Sequence, residues 1–370
     1  MKIPGAKPYI EDIQEITKDI KRVLESRRLI LGPYTRRLEE MFREYIGVKY
    51  AIATSSCTSA LEIVLRYINV NNKEVIVPAN TFIACPNSVI YAGGKVIFAD
   101  TNKDSFCIDY KDVLKKITPK TKAVMAVHLA GLPVPEIFAI RALCKKKKIF
   151  LIEDASHAHG AVIDGRKVGS IGDFGCFSLY PTKIMTSGVG GLITTNNREL
   201  ADFAKSVRHH GQGESLDRIV NFGNDWLMDE LSAVLGVYQL KRLEKNVSKR
   251  NRIAQRYSKG IDKIKGISRN PVSSNVRHSY YKFLAMLDEK INKEEVLKKM
   301  RNRGIEVGTL YPLPCYLHPI YRKLGYRQGL CPVTEHIMAH QIFLPMFAEM
   351  KDVEIDYVLD CLKKIVKDYI

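Results

Sequence analysis

Four short apolar runs in the first half of this 370-residue chain constrain its fold more than any other feature. They are Val75-Ile76-Val77, Lys95-Val96-Ile97-Phe98, Ala123-Val124-Met125-Ala126-Val127 and Ile149-Phe150-Leu151-Ile152, mostly β-branched. None alternates polar with apolar, so each reads as a strand buried on both faces, the signature of a largely parallel sheet. Parallel neighbours need a crossover, and spacings of roughly 20 to 30 residues leave room for a helix each time. The expectation is an α/β fold. Ahead of the runs, Ile10 to about Tyr45 reads as two helices broken at Gly32-Pro33. After about Met228 the pattern changes to a long Lys- and Arg-rich helical stretch reaching Ile264. The run Tyr280 to Met286, a charged helix from Lys293 to Arg303 and a Pro-rich loop from Tyr311 to Pro319 follow. Two domains are predicted: residues 1–245 with the large sheet, and 246–370 as a smaller α+β unit.

Charge and cysteine usage narrow the function classes. Lys and Arg number 58 against 40 Asp and Glu, a formal net charge of +18 that suits anionic substrates or nucleic acid. The basic residues are spread out, however. The one dense run, Lys145 to Lys148, closes a helix-like segment where cations face its negative pole, and no zinc-finger or RNP-like signature accompanies it. A nucleic-acid partner is therefore not expected. No apolar run approaches the ~18 residues of a membrane span, and Met1-Lys2-Ile3-Pro4 leads into no apolar signal core, so a cytoplasmic protein is expected. The eight Cys form no CxxC pair and read as reduced thiols.

Three segments carry chemistry. In Ala51-Ile52-Ala53-Thr54-Ser55-Ser56-Cys57-Thr58-Ser59 a short strand runs into small hydroxyl residues and then a helix. Free N–H groups and hydroxyls at a helix start can hold a phosphate, although the pattern alone reads first as an ordinary N-cap. In Ile152-Glu153-Asp154-Ala155-Ser156-His157-Ala158-His159-Gly160 two carboxylates end an apolar strand, at the edge where α/β sheets bind ligands. An acid there can ligate a metal, cap a helix or pair with a cofactor cation. His157 and His159 are spaced for a shared metal only on a strand. In Ser178-Leu179-Tyr180-Pro181-Thr182-Lys183 a lysine stands between an aromatic strand and the turn Gly188-Val189-Gly190-Gly191. A lysine held in a pocket can lose its proton and attack a carbonyl, whereas the plain alternative is a surface lysine.

Taken together, these segments resemble the DegT/DnrJ/EryC1/StrS sugar aminotransferases. The Ser-Leu-Tyr-Pro-Thr-Lys and Glu-Asp-Ala-x-x-Ala-His-Gly stretches are specific when they occur together. The likeness runs from Ile3-Pro4 and Leu31-Gly32-Pro33 to Pro332-Val333-Thr334-Glu335 and Leu344-Pro345-Met346. It implies the type I, aspartate aminotransferase-like fold with pyridoxal 5'-phosphate as cofactor. Carried over residue by residue, it makes Lys183 the Schiff-base lysine and Asp154 the partner of the pyridine nitrogen. Ser178, with Ser56, Cys57 and Thr58, would hold the phosphate; Phe82 would stack on the ring. His157 stands where the family commonly has a glutamine, and Asp225 where an asparagine of the neighbouring subunit reaches the phosphate.

Other departures are Cys57 for a glycine, Val189 for an acidic residue, and Leu310 and Tyr316 where the family often has His. Ala130 and Leu132 replace polar or aromatic residues. Tyr311, Tyr316 and His318 are the candidates facing substrate. The implied reaction is transfer of an amino group, typically from L-glutamate, to a keto group of a nucleotide-linked sugar by a homodimer, with Trp226 as an interface anchor. Transfer to a cyclitol or other cyclic ketone is the alternative. A sugar dehydratase with the same cofactor is a further one, but those relatives replace the lysine with histidine.

Overall fold

The computed structural model describes residues 1–213, 215 and 217–369. The four predicted runs become strands in a seven-stranded sheet made of β1 (Tyr50–Thr54), β2 (Glu74–Pro78), β3 (Lys95–Ala99), β4 (Thr121–Val127), β5 (Phe150–Asp154), β6 (Phe174–Ser178) and β7 (Gly191–Thr195). Their order is β1-β7-β6-β5-β4-β2-β3. Only β7 runs antiparallel to its neighbours, so β1 to β6 all point the same way. Helices Cys57–Tyr67, Ala84–Tyr91, Ile137–Lys147 and Arg198–Val207 supply the layers over the sheet. β2 and β4 are buried almost end to end, which accounts for the absence of alternation in their sequences.

The N-terminal helix pair forms at Ile13–Ser26 and Pro33–Ile46, with Pro33 in the first turn, where its missing N–H costs nothing. The second helix is capped from far along the chain. Buried Glu230 accepts hydrogen bonds from the N–H groups of Gly32, Tyr34 and Thr35 at 3.0, 2.8 and 2.9 Å.

A single 32-residue helix, Glu230–Ile261, links two cores. Its first half (Ala233, Val237, Leu243, Val247) packs with Phe42 and Phe177 against the large sheet. Its second half (Ile253, Ala254, Tyr257, Ile261) belongs to another core. That core is built on an antiparallel sheet, β8 (Ile267–Arg269), β9 (Phe283–Leu287) and β10 (Gln341–Leu344), with helices Lys293–Asn302 and Asp352–Val366. Position 245 lies inside the linking helix, and Ile3 packs in the second core, bridged to Ile305. Among the described residues no helix is long and apolar enough to cross a membrane.

Candidate active site

A cavity of about 560 Å³ opens at the carboxyl ends of the parallel strands, the edge where such sheets place ligands. The end of β1 supplies Ser56, Cys57 and Thr58. Ser56 caps the following helix: its hydroxyl accepts from Ser59 N–H at 3.1 Å, and the Ser59 hydroxyl accepts from Ser56 N–H at 3.1 Å. The amides of Cys57 and Thr58, in the first turn, have no intrahelical acceptor. Gly191 lies against this turn, where a Cβ would sit 2.3 Å from the Ser56 carbonyl carbon, so no side chain fits.

The two carboxylates ending β5 point opposite ways, as strand geometry requires. Glu153 is fully buried on the closed side. It accepts from Gly169, Ile171 and Gly172 N–H at 2.8, 2.7 and 2.6 Å and from His128 Nε2 at 2.9 Å. The Nδ1 of His128 accepts from Val134 N–H at 3.0 Å, which leaves the ring proton on Nε2. Asp154 lines the cavity. Ser156 N–H donates to its Oδ1 at 2.9 Å and the Cys85 thiol to its Oδ2 at 2.8 Å.

The end of β6 brings Ser178, Tyr180, Thr182 and Lys183 to the same opening. The Nζ of Lys183 lies 4.7 Å from the centre of the Tyr281 ring and, among the described residues, makes no ion pair. His157 is stacked on that ring, with centroids 4.4 Å apart. Its Nδ1 accepts from Ala130 N–H at 3.3 Å, so Nε2 carries the proton that faces Tyr311 Oη at 3.4 Å. Burial, reinforced by Lys183, pushes the His157 pKa well below 6.5. His159 points away, against Phe177. Burial holds its pKa down at about 3, and neither ring nitrogen has a partner among the described residues. No group of three or more His, Cys, Asp or Glu suited to a metal occurs there.

The outer wall is apolar: Phe82, Val189, Leu310, Tyr311 and Pro312. Phe82 is 56% exposed and lies 6.1 Å from the Tyr311 ring. Two substrate candidates are corrected. Tyr316 does not line the cavity: its ring is buried against Phe98, and its hydroxyl donates to Glu335 at 2.5 Å. His318 opens the Pro319–Lys323 helix, also off the lining. Asp225 is exposed, bridged to His209, and absent from its own chain's cavity. Trp226 is half-buried in its own protomer, with the Arg66 guanidinium 5.3 Å from the ring centre.

Tyr281 and Cys85 were missed. Tyr281 carried only a strand pattern, and Cys85 none, because its contact with Asp154 spans 69 residues.

This set suits pyridoxal phosphate. A buried carboxylate can face the ring nitrogen, two unbonded amides can meet the phosphate, and a lysine without a counter-ion can meet the carbonyl carbon. The cavity volume is within the ~300–1,000 Å³ usual for small-molecule sites.

The profile of the DegT/DnrJ/EryC1/StrS aminotransferase family matches residues 11–363. The UDP-N-acetyl-3-dehydro-alpha-D-glucosamine 3-aminotransferase of Acidithiobacillus ferrooxidans is 31% identical, covering 95% of this chain and 93% of its own. A Streptococcus pneumoniae structure in its PLP form superposes with a TM-score of 0.94 at 26% identity over 100% of both chains. Helicobacter pylori PseC, an aminotransferase involved in the biosynthesis of pseudoaminic acid, does so with 0.93 at 26% identity, again over 100% of both.

Proposed function

The chain belongs to the DegT/DnrJ/EryC1/StrS aminotransferase family, and on that premise we propose that it moves an amino group from L-glutamate to a keto carbon of a nucleotide-linked sugar. It is a pyridoxal-phosphate-dependent transaminase of the type I fold. The observation that carries the reading is the meeting of Lys183, Asp154 and the free amides of Cys57 and Thr58 in one cavity. The relative named for a UDP-linked 3-keto sugar supports the substrate class.

Bound there, pyridoxal phosphate supplies a carbonyl carbon that an amine can condense with and a ring that takes up the electrons of a broken Cα–H bond. Asp154, held in orientation by its own two donors, would keep the proton on the ring nitrogen. Ser178, Ser56 and the Cys57 and Thr58 amides would hold the phosphate. Phe82 would stack on the ring, and the Nε2–H of His157 would be free to donate to its 3-oxygen. The Nζ of Lys183 would meet the carbonyl carbon and, when free, would take the proton from the donor Cα. The same residues would serve the keto sugar in the opposite direction, and ping-pong kinetics would follow.

Among the described residues the lining of one chain holds one lysine or arginine side chain, Lys183, and the reaction itself uses it. A diphosphate and the donor carboxylates need others, which a second copy can bring. Ile219, Val220 and Phe222 are exposed, Phe222 at 96%, as a surface to be covered in a homodimer. Asp225 then lies beside the partner's site.

Incubation with L-glutamate and a panel of nucleotide-linked keto sugars should release 2-oxoglutarate with a subset of the panel. Turnover with cyclitol ketones alone would replace the sugar reading. Co-refolding Lys183→Ala protein with an Asp225→Ala or Trp226→Ala variant should restore part of the activity, and a monomer in sedimentation would end the shared-site reading.

A further inference from the structure

We propose that Cys85 is a positioning residue: its thiol orients the Asp154 carboxylate and, through Thr81 and Cys315, ties it to the segment that carries the outer wall. The inference rests on Asp154 facing the cofactor, as proposed above. Cys85 sits in the first turn of the Ala84–Tyr91 helix, fully buried and off the cavity lining, so it can act on the site only through what it touches. Its single proton goes to Asp154 Oδ2 at 2.8 Å, with the carboxylate oxygen as acceptor. Thr81 Oγ1, 3.0 Å from the sulfur, is then the donor to it. The Cys315 thiol donates to the Thr81 carbonyl at 3.1 Å, while Cys315 N–H donates to the Ala79 carbonyl at 3.1 Å.

The chain of contacts thus runs from the cofactor's carboxylate to the 3₁₀ turn at Cys315–Leu317, which follows Leu310, Tyr311 and Pro312 closely in sequence. Ser156 N–H on Oδ1 and Cys85 on Oδ2 hold the two oxygens separately and fix the carboxylate plane. A thiol is a weak donor, but a charged acceptor in a dry site strengthens the bond. Burial and the neighbouring carboxylate push the Cys85 pKa far up, which keeps the thiol protonated.

The test uses the holoenzyme and two readouts besides turnover: cofactor retention in dialysis, and the pH midpoint of the cofactor's visible absorbance band. Cys85→Ala, and Cys85→Val as a volume-filling variant, should each weaken retention about tenfold, the cost of one unmade buried hydrogen bond, and shift the midpoint. Cys85→Ser, which keeps a donor, should restore both. Cys315→Ala should move the midpoint the same way by less, and should add nothing to Cys85→Ala. Unchanged readouts in both Cys85→Ala and Cys85→Val, or a Cys85→Ser protein as impaired as they are, would overturn the positioning role. Additive effects of Cys85→Ala and Cys315→Ala would overturn the tie to the wall. Asp154→Asn separates the levels. If it leaves the midpoint in place, the reading of Asp154 fails and this inference with it; if it moves the midpoint while the Cys85 variants do not, only this inference fails.

Discussion

On the floor of the cavity the polar side chains leave the ends of β1, β5 and β6, where ladder register aims them; on the outer wall, Leu310, Tyr311 and Pro312 come from an irregular segment. Asp154 pairs with Cys176 across the ladder, and Ser178 with Gly191. Changing which face they present would slip a buried strand by one residue. The wall segment is held instead by tertiary contacts: the Gly308–Phe343 bridge, Cys315 on Ala79 and Thr81, and the Tyr316 ring in the core. Substitutions on the floor should therefore separate chemistry from stability cleanly, whereas the wall can change its substrate contacts without disturbing the chemistry.

The sharpest break comes from Lys183→Ala, which should lower transamination by about 10⁴-fold or more while the thermal unfolding curve stays in place. Loss of folding there would mean that the floor lysine is a packing residue. Next come the two carboxylates of β5. Asp154→Asn should slow proton abstraction about 10²- to 10³-fold with little change in stability. Glu153→Gln should instead destabilise the protein by about 3 kcal/mol, because it turns an amide toward buried donors. Isotope-sensitive single-turnover kinetics and denaturant unfolding distinguish the two; the same phenotype in both variants would refute the division of labour.

A third test concerns acid stability. His159 is held neutral when folded, with its pKa at about 3 against 6.5 when free. Below pH 6.5 the unfolded chain takes up a proton that the folded chain refuses, so stability falls by up to about 1.4 kcal/mol per pH unit for this residue as the solution is acidified. His159→Leu should flatten that slope by one proton in urea unfolding measured between pH 4 and 7; an unchanged slope would show that the imidazole finds a partner. The smallest effects belong to the wall. Tyr316→Phe should cost about 1 kcal/mol of stability and leave kcat alone. Tyr311→Phe should change KM by no more than about threefold, since its 3.4 Å contact with His157 is near the limit of a hydrogen bond. A large kcat loss in Tyr316→Phe would return that residue to the site.

The legible parts share a local cause. β2 to β5 were visible because burial on both faces leaves runs without alternation, and the N-terminal helix pair because Pro33 opens the second helix. Asp154 ends one such run, whereas Lys183 lies in a loop after the Phe174–Ser178 strand and stood out through the Ser-Leu-Tyr-Pro-Thr-Lys motif and the family it resembles. The Pro-rich stretch, by contrast, offered Tyr311, Tyr316 and His318 on equal terms, and only one of them lines the cavity. Trp226 looked like an interface anchor from its size and its place in a segment that the family resemblance puts at the partner's site; part of its surface is taken up by the Arg66 guanidinium and the core beneath it.

The sequence by itself determined the order of strands and helices and the end of the sheet where the cavity opens, because periodicity and strand ends are properties of neighbouring residues; the resemblance to a family, carried by two short motifs, singled out Lys183 and Asp154. Only the tertiary structure decided that Glu153 is spent on the Gly169–Gly172 turn, that Tyr281 lies beneath Lys183, that Cys85 holds Asp154, and that Glu230 caps a helix nearly two hundred residues upstream. Each of those contacts joins residues far apart in the chain. Its energy comes from satisfying a buried polar group, and no local pattern records which distant atom will do so.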